Sequence, residues 1–589
     1  RVEALQILNA LRGKSKGWTN HPATKMWRGY EAALAFYKDL CIEEWQRRGY
    51  NNTMQKEKSH RCIRLPEWFG SEEFHASHRS NLLRYFGPPG TGKTTTLLNL
   101  VDDALSGGMS ANDIGYFAYT RKASMEARDR AVDRFNLDAD KEFTYFRTLH
   151  SLAFRLLGMT SSDVLSEKHL KDFSERVGAD LSQGAQLTED GGFSVFKSDH
   201  PIMRVIDLAR TTELGPEAAY NCSQIHEPRH FFMHVYEEYA AFKKQNNLTD
   251  FTDMLVNLSE RPEIFPHFKL CFVDEAQDLT PLQWRVVDIL DKKSDRMFIA
   301  GDDDQGIYAW AGADIHRFIS LPGGSEVLSQ SYRIPRSIWE VAQKVSGRIK
   351  QRQPKTWSPR QADGVVERTY DTYGLEFPPD SEWLVMAQAN YMLSDIAWDL
   401  KRQGVFFERF GEPSLGKKVR NAIFSWNHLT SKNNGEISLQ EAQNLFNHIA
   451  TGERGITRGG KALLKASHED DTFTFGVLSE HFGLDIGLQT DWQTALDKIK
   501  PEDRAYAEVL LSRGVDISKR PKVRLSTIHG AKGGEADNVL LYLDLTGKAL
   551  EEMERNPDNA NRVLYVGITR ARERLILKLP EDLQRGWSI

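Results

Sequence analysis

The chain has 589 residues, and its 40% hydrophobic and 27% charged content is that of a soluble, core-forming protein. No apolar run approaches the ~18 residues of a membrane span, and the opening RVEALQILNALRGKSKGW lacks the apolar stretch and small-residue cleavage site of a secretory signal. The net charge is −5, but residues 1–84 hold 15 Lys and Arg against 9 Asp and Glu, so a net of +6 there leaves −11 on the remainder. A globally basic nucleic-acid binder is thereby excluded, and any such contact in the larger part needs a local groove.

At roughly 100–200 residues per domain, three to five domains are expected. The first residue is not Met, so the natural start is expected upstream. Cys41, Cys62, Cys222 and Cys271 are far apart and form no CxxC pair, which indicates neither a zinc site nor a disulfide framework. A reducing cytoplasm, of a bacterial or virus-infected cell, is the expected setting.

In chain order, the first 84 residues read as a small helical domain, with MWRGYEAALAFYKDLCIEEWQRRGY keeping helical apolar spacing. At Tyr85 the character changes. The strand-like LLRYF runs into a glycine loop and then an apolar helix, TTTLLNLVDDAL. Further strand-like runs are IGYFAYT, KLCFVDEA, RMFIAGD, EWLVMAQ, KVRLSTIHG and NVLLYLDL, separated by helical stretches as in an α/β parallel sheet. Residues 155–245 and 410–515 break the alternation and read as mostly helical insertions. The two cores are then 85–154 with 246–320, and 321–409 with 516–589.

Gly87-Pro88-Pro89-Gly90-Thr91-Gly92-Lys93-Thr94 fits G-x-x-x-x-G-K-[ST] between a strand and a helix that opens with Thr94 and Thr95. Glycines let backbone N–H groups approach phosphate, and a helix N-terminus favours negative charge. Lys93 can reach the β- and γ-phosphates of ATP, and the Thr94 hydroxyl can ligate Mg²⁺. The run Cys271-Phe-Val-Asp274-Glu275-Ala-Gln277-Asp278 is an apolar strand ending in carboxylates at the sheet's C-terminal edge. There Asp274 is expected to hold Mg²⁺ through water, and Glu275 to orient and deprotonate the attacking water.

Together these residues resemble the UvrD/Rep-like DNA helicases of superfamily 1A. Ala118-Tyr119-Thr120-Arg121-Lys122-Ala123 looks like motif Ia and Thr148-Leu-His150-Ser like Ib. Asp250-Phe251-Thr-Asp253 looks like the segment before motif II, and Asp302-Asp-Asp304-Gln305-Gly-Ile-Tyr308-Ala-Trp310 like motif III. Gln330-Ser-Tyr332-Arg333 resembles motif IV, Ser526-Thr527-Ile-His529-Gly-Ala-Lys532-Gly533-Gly-Glu535 motif V, and Tyr565-Val-Gly-Ile-Thr569-Arg570-Ala-Arg572 motif VI. Order and spacing agree from about 85 to 580.

The resemblance implies two RecA-like P-loop cores. It implies that Gln305 senses the γ-phosphate, Tyr332 stacks on adenine, Arg333 and Arg570 act as arginine fingers, and Glu535 contacts the ribose. Physically, two permanent cations on a second core neutralise transition-state charge only when the cores close. It also implies a groove for single-stranded DNA lined by Tyr119, Thr120, Thr148, His150, Trp310, Thr527 and His529, which grips bases by aromatic faces and phosphates by polar contacts. Tyr308 and Trp310 are expected to divide, one toward the nucleotide and one toward the strand. Three departures stand out: Ala309 and Ala311 leave Trp310 without flanking cations, 410–515 is short for a duplex-contacting domain, and no Q-motif precedes Gly87.

Within 1–84, Trp18-Thr-Asn20-His21-Pro22, Trp27-Arg28-Gly-Tyr30-Glu31, Glu44-Trp45-Gln-Arg47-Arg48 and Phe74-His75-Ala-Ser-His78-Arg79 resemble part of the pyrimidine-dimer DNA glycosylase family. A basic, aromatic helical surface suits a protein that bends DNA and extrudes a base. In that family an N-terminal amine does the chemistry. Only the later part of the family is matched, so no catalytic residue carries over. Either a fused domain lacks its first residues, or residues are absent around Arg84–Tyr85.

The expected function is an ATP-dependent 3′→5′ single-stranded DNA translocase and helicase in repair, replication or recombination, acting on single strands and junctions with no membrane partner. One alternative is the same motor coupled to a pyrimidine-dimer glycosylase/AP lyase. Another is a nucleotide-gated DNA-binding scaffold, which would need degraded catalytic groups, whereas Lys93, Glu275, Gln305, Arg333 and Arg570 are all present.

Overall fold

A parallel sheet is covered on both faces, so its strands are apolar along their whole length, and the apolar runs of this chain build two such sheets. The computed structural model describes residues 2–14, 24–25, 27–47, 53–56, 63–66, 82–118, 125, 128–129, 132, 143–182, 186–190, 193–198, 200–223, 225–378, 380–431 and 435–589. The first sheet orders its strands as Phe146–Arg147, Ile114–Ala118, Phe268–Asp274, Ser294–Gly301, Leu82–Phe86 and Gly324–Val327, all parallel. Alternate residues face opposite sides. Phe86, Phe117, Val273 and Ile299 join a core with helices Phe251–Ser259 and Pro281–Lys292, while Tyr85, Tyr116, Phe272 and Phe298 join one beneath helix Lys93–Ser106.

The second sheet runs Glu412–Pro413, Phe407–Arg409, Val523–Thr527, Trp383–Ala387, Ala536–Tyr542, Ala571–Lys578 and Val365–Thr369. It is parallel except for its two-residue edge, which is antiparallel to its neighbour. Leu384, Met386, Val539 and Leu541 fill one face, and Trp383, Val385, Leu540 and Ile576 the other.

Each insertion has a core of its own. The first is held by Leu170, Phe173, Ile206, Phe232 and Tyr239 from three helices, and it carries an antiparallel hairpin, Gln186–Asp190 with Phe193–Lys197. The second is held by Trp426, Phe446, Ile456 and Leu510. At the N-terminus, helix Val2–Leu11 packs on helix Glu31–Arg47 through Ile7, Leu8, Leu34 and Ala35. Cys41, Cys222 and Cys271 are free thiols, and Cys62 lies outside the described residues. Among the described residues no helix is long and apolar enough to cross a membrane.

Two expected boundaries move. The junction expected at Arg84–Tyr85 falls inside a continuous strand, paired from Leu82↔Met297 to Phe86↔Gly301, so the first core starts no later than Leu82. Arg84 is buried there, and its guanidinium donates to the carbonyl of Ile319 (2.9 Å) at the end of helix Ile315–Ser320. At the other end, Gly324–Val327 was expected in the second core but forms the edge of the first sheet, and Leu328 N donates to Phe86 O (2.9 Å).

Candidate active site and nucleic-acid interface

Three neighbouring strands of the first sheet end at one edge, and the carboxyl edge of a parallel sheet is where such folds bind ligands. From the first, Leu82–Phe86, the loop Gly87–Gly92 leads into helix Lys93–Ser106. Gly90 and Gly92 take left-handed backbone (φ 72° and 78°), which glycine adopts without strain. A Cβ on Gly87 would sit 2.1 Å from Lys93 Cγ, so the lysine stem lies directly across the loop, and Nζ donates to Gly87 O (2.9 Å). Pro88, Pro89 and Thr91 are buried in the loop, with Thr91 Oγ1 bonded to Pro88 O (2.8 Å), while Thr95 is exposed in the helix's first turn.

The second strand ends in Asp274, which is buried. Its Oδ2 accepts from Thr94 Oγ1 (2.8 Å) and Tyr116 OH (3.0 Å), and Oδ1 accepts from Glu275 N (2.9 Å). Burial and the adjacent Glu275 raise its carboxyl above the usual range. Thr94 and Asp274 are hard oxygen donors held together, which suits Mg²⁺ with its remaining positions on water and phosphate. Glu275 takes left-handed backbone at φ 55°, rare for a residue with a side chain and a marker of a functionally constrained position. Burial opposes its ionisation, yet the Lys93 and Lys532 ammonium groups prevail and hold its carboxyl below the usual range. Gln277, fully buried, donates to Glu275 Oε2 (2.5 Å) and accepts from Asp302 N (2.9 Å) at the end of the third strand.

The second core supplies the cations. Buried Arg570 donates from Nη2 to Gln305 Oε1 (2.8 Å), and Gln305 Nε2 donates to Asp302 Oδ2 (2.6 Å). Burial and the nearby Arg333 pull the Arg570 guanidinium down to about 10. Arg333 is ion-paired with Glu535, so the expected finger and the expected ribose contact meet in one pair. Ser331 Oγ donates to Pro89 O (2.7 Å) and Tyr332 N to Gly90 O (2.8 Å), which seats the Gln330–Arg333 turn on the phosphate loop. The Tyr332 ring is 75% exposed beside that loop. Lys532 Nζ crosses between the cores to Asp278 Oδ1 (2.7 Å), Asp278 Oδ2 (2.5 Å) and Gln305 O (2.7 Å).

The groove residues do not all fall into place. Trp310 is 59% exposed, with its ring edge-on to His529 at 6.2 Å. Tyr308 and Trp310 remain in ring contact at 6.4 Å because Ala309–Ala311 is a 3₁₀ turn and not a strand. Tyr308 turns inward under Lys532 Nζ (4.8 Å from the ring centroid) while Trp310 turns outward. Burial, with Asp278 and Glu275 nearby, raises the Tyr308 hydroxyl to about 12. Burial and Lys532 hold the His529 imidazole below its usual range, so it is neutral at pH 7. Thr527 is half-buried at a strand end, and Oγ1 accepts from Gly530 N (3.1 Å).

His150 lies on helix Leu149–Leu156, edge-on to Phe251 at 4.9 Å. Thr148 corrects the expectation of a groove contact: it is 3% exposed and its hydroxyl accepts from Ser151 N (3.1 Å), capping that helix. Tyr119 and Thr120 lie outside the described residues. Sequence reasoning assigned no role to Gln277, Asp278, Lys532 or Asp302. All four stood inside quoted motifs, so their strings signalled them, but the bonds joining them are tertiary.

Comparison with known proteins agrees with this geometry. Residues 75–323 match the UvrD/REP helicase N-terminal domain and residues 507–581 the UvrD-like helicase C-terminal domain. Residues 1–58 match the pyrimidine dimer DNA glycosylase model. Among curated proteins, the chain is similar to the ATP-dependent DNA helicase PcrA of Staphylococcus aureus, 26% identical over 45% of this chain and 38% of the relative. The ATP-dependent DNA helicase Rep of Buchnera aphidicola is 25% identical over 45% and 42% of the respective chains. PcrA of Staphylococcus epidermidis is 23% identical over 60% and 52%. The chain thus spans about half or less of these relatives' length. With the phosphate loop, acidic strand end and second-core arginines converging at one edge, residues 75–323 and 507–581 of the chain belong to the UvrD/Rep helicase family.

Proposed function

We propose that the chain is an ATP-driven motor that moves 3′→5′ along single-stranded DNA and unwinds duplex at junctions. The observation that carries this is Lys532. One ammonium group bonds Asp278 in the acidic cluster and lies over Tyr308 of the aromatic cluster that presents Trp310, so the groove and the hydrolytic groups share a single side chain of the second core. The Gly87–Thr94 loop and Lys93 would hold the phosphates, Tyr332 would stack on adenine, and Thr94 with Asp274 would hold Mg²⁺. When bound, the cation neutralises phosphate charge. Glu275 accepts the proton of the attacking water, Gln305 positions it, and Arg570 with Arg333 offset the developing charge.

The reading is tested by steady-state ATP hydrolysis with and without single-stranded DNA. Strong stimulation by single strands is expected, and equal rates would overturn it. In the same assay Trp310→Ala is expected to lose ~1–3 kcal/mol of single-strand affinity, the amount typical of one stacked base. Unchanged affinity would remove Trp310 from the groove.

Acid is expected to uncouple the motor. Burial pushes the Asp278 carboxyl up to about 6 against the pull of Lys532. An acid raised in the folded protein favours folding while protonated, and that contribution is lost as pH rises through about 6. The ion pair with Lys532 has the opposite dependence and forms only above it. DNA-stimulated turnover is therefore expected to fall below pH 6, and Asp278→Asn to remove that step and lower the rate at pH 8. A flat profile from pH 5 to 8 in the parent protein would count against a coupling role for the Lys532–Asp278 pair.

A second reading, the same motor joined to a dimer-specific glycosylase, is supported by the match of residues 1–58. It calls for strand incision at photoproducts without ATP.

A further inference from the structure

Asp302, Asp303 and Asp304 follow one another in the turn after strand Ser294–Gly301, and all three are fully buried. Three adjacent buried carboxylates are untenable without cations, and the cations come from the second core. Lys355, itself buried, donates to Asp302 Oδ1 (2.6 Å) and Asp303 Oδ1 (2.5 Å) and lies 3.0 Å from Asp304 Oδ2. Arg352 grips Asp304 through two nitrogens (2.8 and 2.5 Å), and Arg562 Nε donates to the Asp303 carbonyl (2.8 Å).

Asp302 is the member of the trio that leads on to the chemistry, and it does so twice. Its carboxylate accepts from Gln305, which accepts from Arg570. Its backbone N–H donates to Gln277, which donates to Glu275. A carboxylate with one oxygen on Lys355 and the other on Gln305 is fixed in rotation. Without the lysine it can turn, and the glutamine loses its orientation. Burial works against the Lys355 charge, but the three carboxylates more than restore it, so the ammonium persists throughout the folded pH range.

We propose that Lys355 is a positioning residue for ATP hydrolysis: it fixes the Asp302 carboxylate so that Gln305 is aligned only while the second core is closed on the first. The inference rests on the ATPase reading above. Arg352 brings the same charge to the same turn through Asp304, so it separates positioning from mere neutralisation.

The test compares Lys355→Met, the double variant Lys355→Met/Asp303→Asn, and Arg352→Met. The double variant removes one charge of each sign, so a folded protein is available even if the single change unfolds it. Melting temperature, binding of a fluorescent ATP analogue, single-strand affinity and DNA-stimulated kcat and KM are measured for each. Loss of alignment by a fraction of an ångström to an ångström lowers rate by ~10²-fold, so both Lys355 variants are expected to lose about that much kcat. Their nucleotide and DNA affinities are expected to stay within about threefold of the parent, as for an interaction felt in the transition state. Arg352→Met is expected to lower the melting temperature with kcat within about threefold. A folded Lys355 variant with parental kcat, or one whose nucleotide affinity falls in step with kcat, would overturn the proposal. An equal kcat loss in Arg352→Met would do the same. Absence of DNA-stimulated hydrolysis in the parent protein would overturn the motor reading itself.

Discussion

Lys93→Ala is expected to abolish ATP turnover. The side chain lies across the phosphate loop, with its stem 2.1 Å from the place a Gly87 Cβ would take and its ammonium 2.9 Å from the Gly87 carbonyl. It is also one of the charges that keep Glu275 and Asp302 ionised at the buried strand ends. Alanine therefore removes two things at once. It takes away the cation for the transferred phosphoryl group, and it leaves Asp274, Glu275 and Asp302 facing a polyanion with less opposing charge. Lowered affinity for ATP and loss of rate should appear together, in contrast to a group that acts in the transition state alone. Phosphate release at saturating single-stranded DNA measures it, and undiminished turnover would overturn the loop assignment.

What the sequence shows well is whatever a short string encodes. The loop Gly87–Thr94 and the strand ending in Asp274 and Glu275 are legible because their chemistry needs neighbours in the chain, and the structure places all of them at one sheet edge. The two insertions are legible because their pattern departs from strand–helix alternation, and each has its own core. Gly324–Val327 was missed because it is a largely exposed edge strand with no apolar run to announce it. Thr148 was misread because a helix cap and a groove hydroxyl are the same residue type at the same place in a string, and only burial tells them apart.

Lys355 illustrates what no string carries. It stands in the polar stretch Gln351-Arg-Gln-Pro-Lys355, without period or motif, and its partners are about fifty residues earlier on the other core. Lys532 and Asp278 do stand inside quoted motifs, but they are 254 residues apart and no string joins them. Closing the cores brings such pairs together, and their energies depend on burial that composition does not reveal. The pairings by which second-core cations enter the first core are thus the part of the site least visible in the sequence and the part that couples its two halves.

Glu275→Gln is expected to leave ATP and single-strand binding intact and to slow hydrolysis by at least ~10²-fold, about 2.7 kcal/mol in the barrier, as for loss of a general base. Glutamine keeps the volume and an oxygen that can still accept from Gln277, so the fold has little reason to change. What it loses is the site for the water's proton. The local backbone argues that this site is deliberate, since Glu275 is held in left-handed conformation at the turn out of the strand, with Asp274 accepting from its N–H (2.9 Å). Lys93 and Lys532, overcoming burial, hold the carboxyl below its usual range, so it is ionised through neutral pH and loses its base form only in acid below the ordinary glutamate range. A second-core lysine thus helps set the charge state of a first-core base, and opening the cores would withdraw that help. Single-turnover hydrolysis with a pre-bound single strand measures the step directly. A loss below about tenfold would remove Glu275 as the base and leave the proton to another acceptor of the buried cluster.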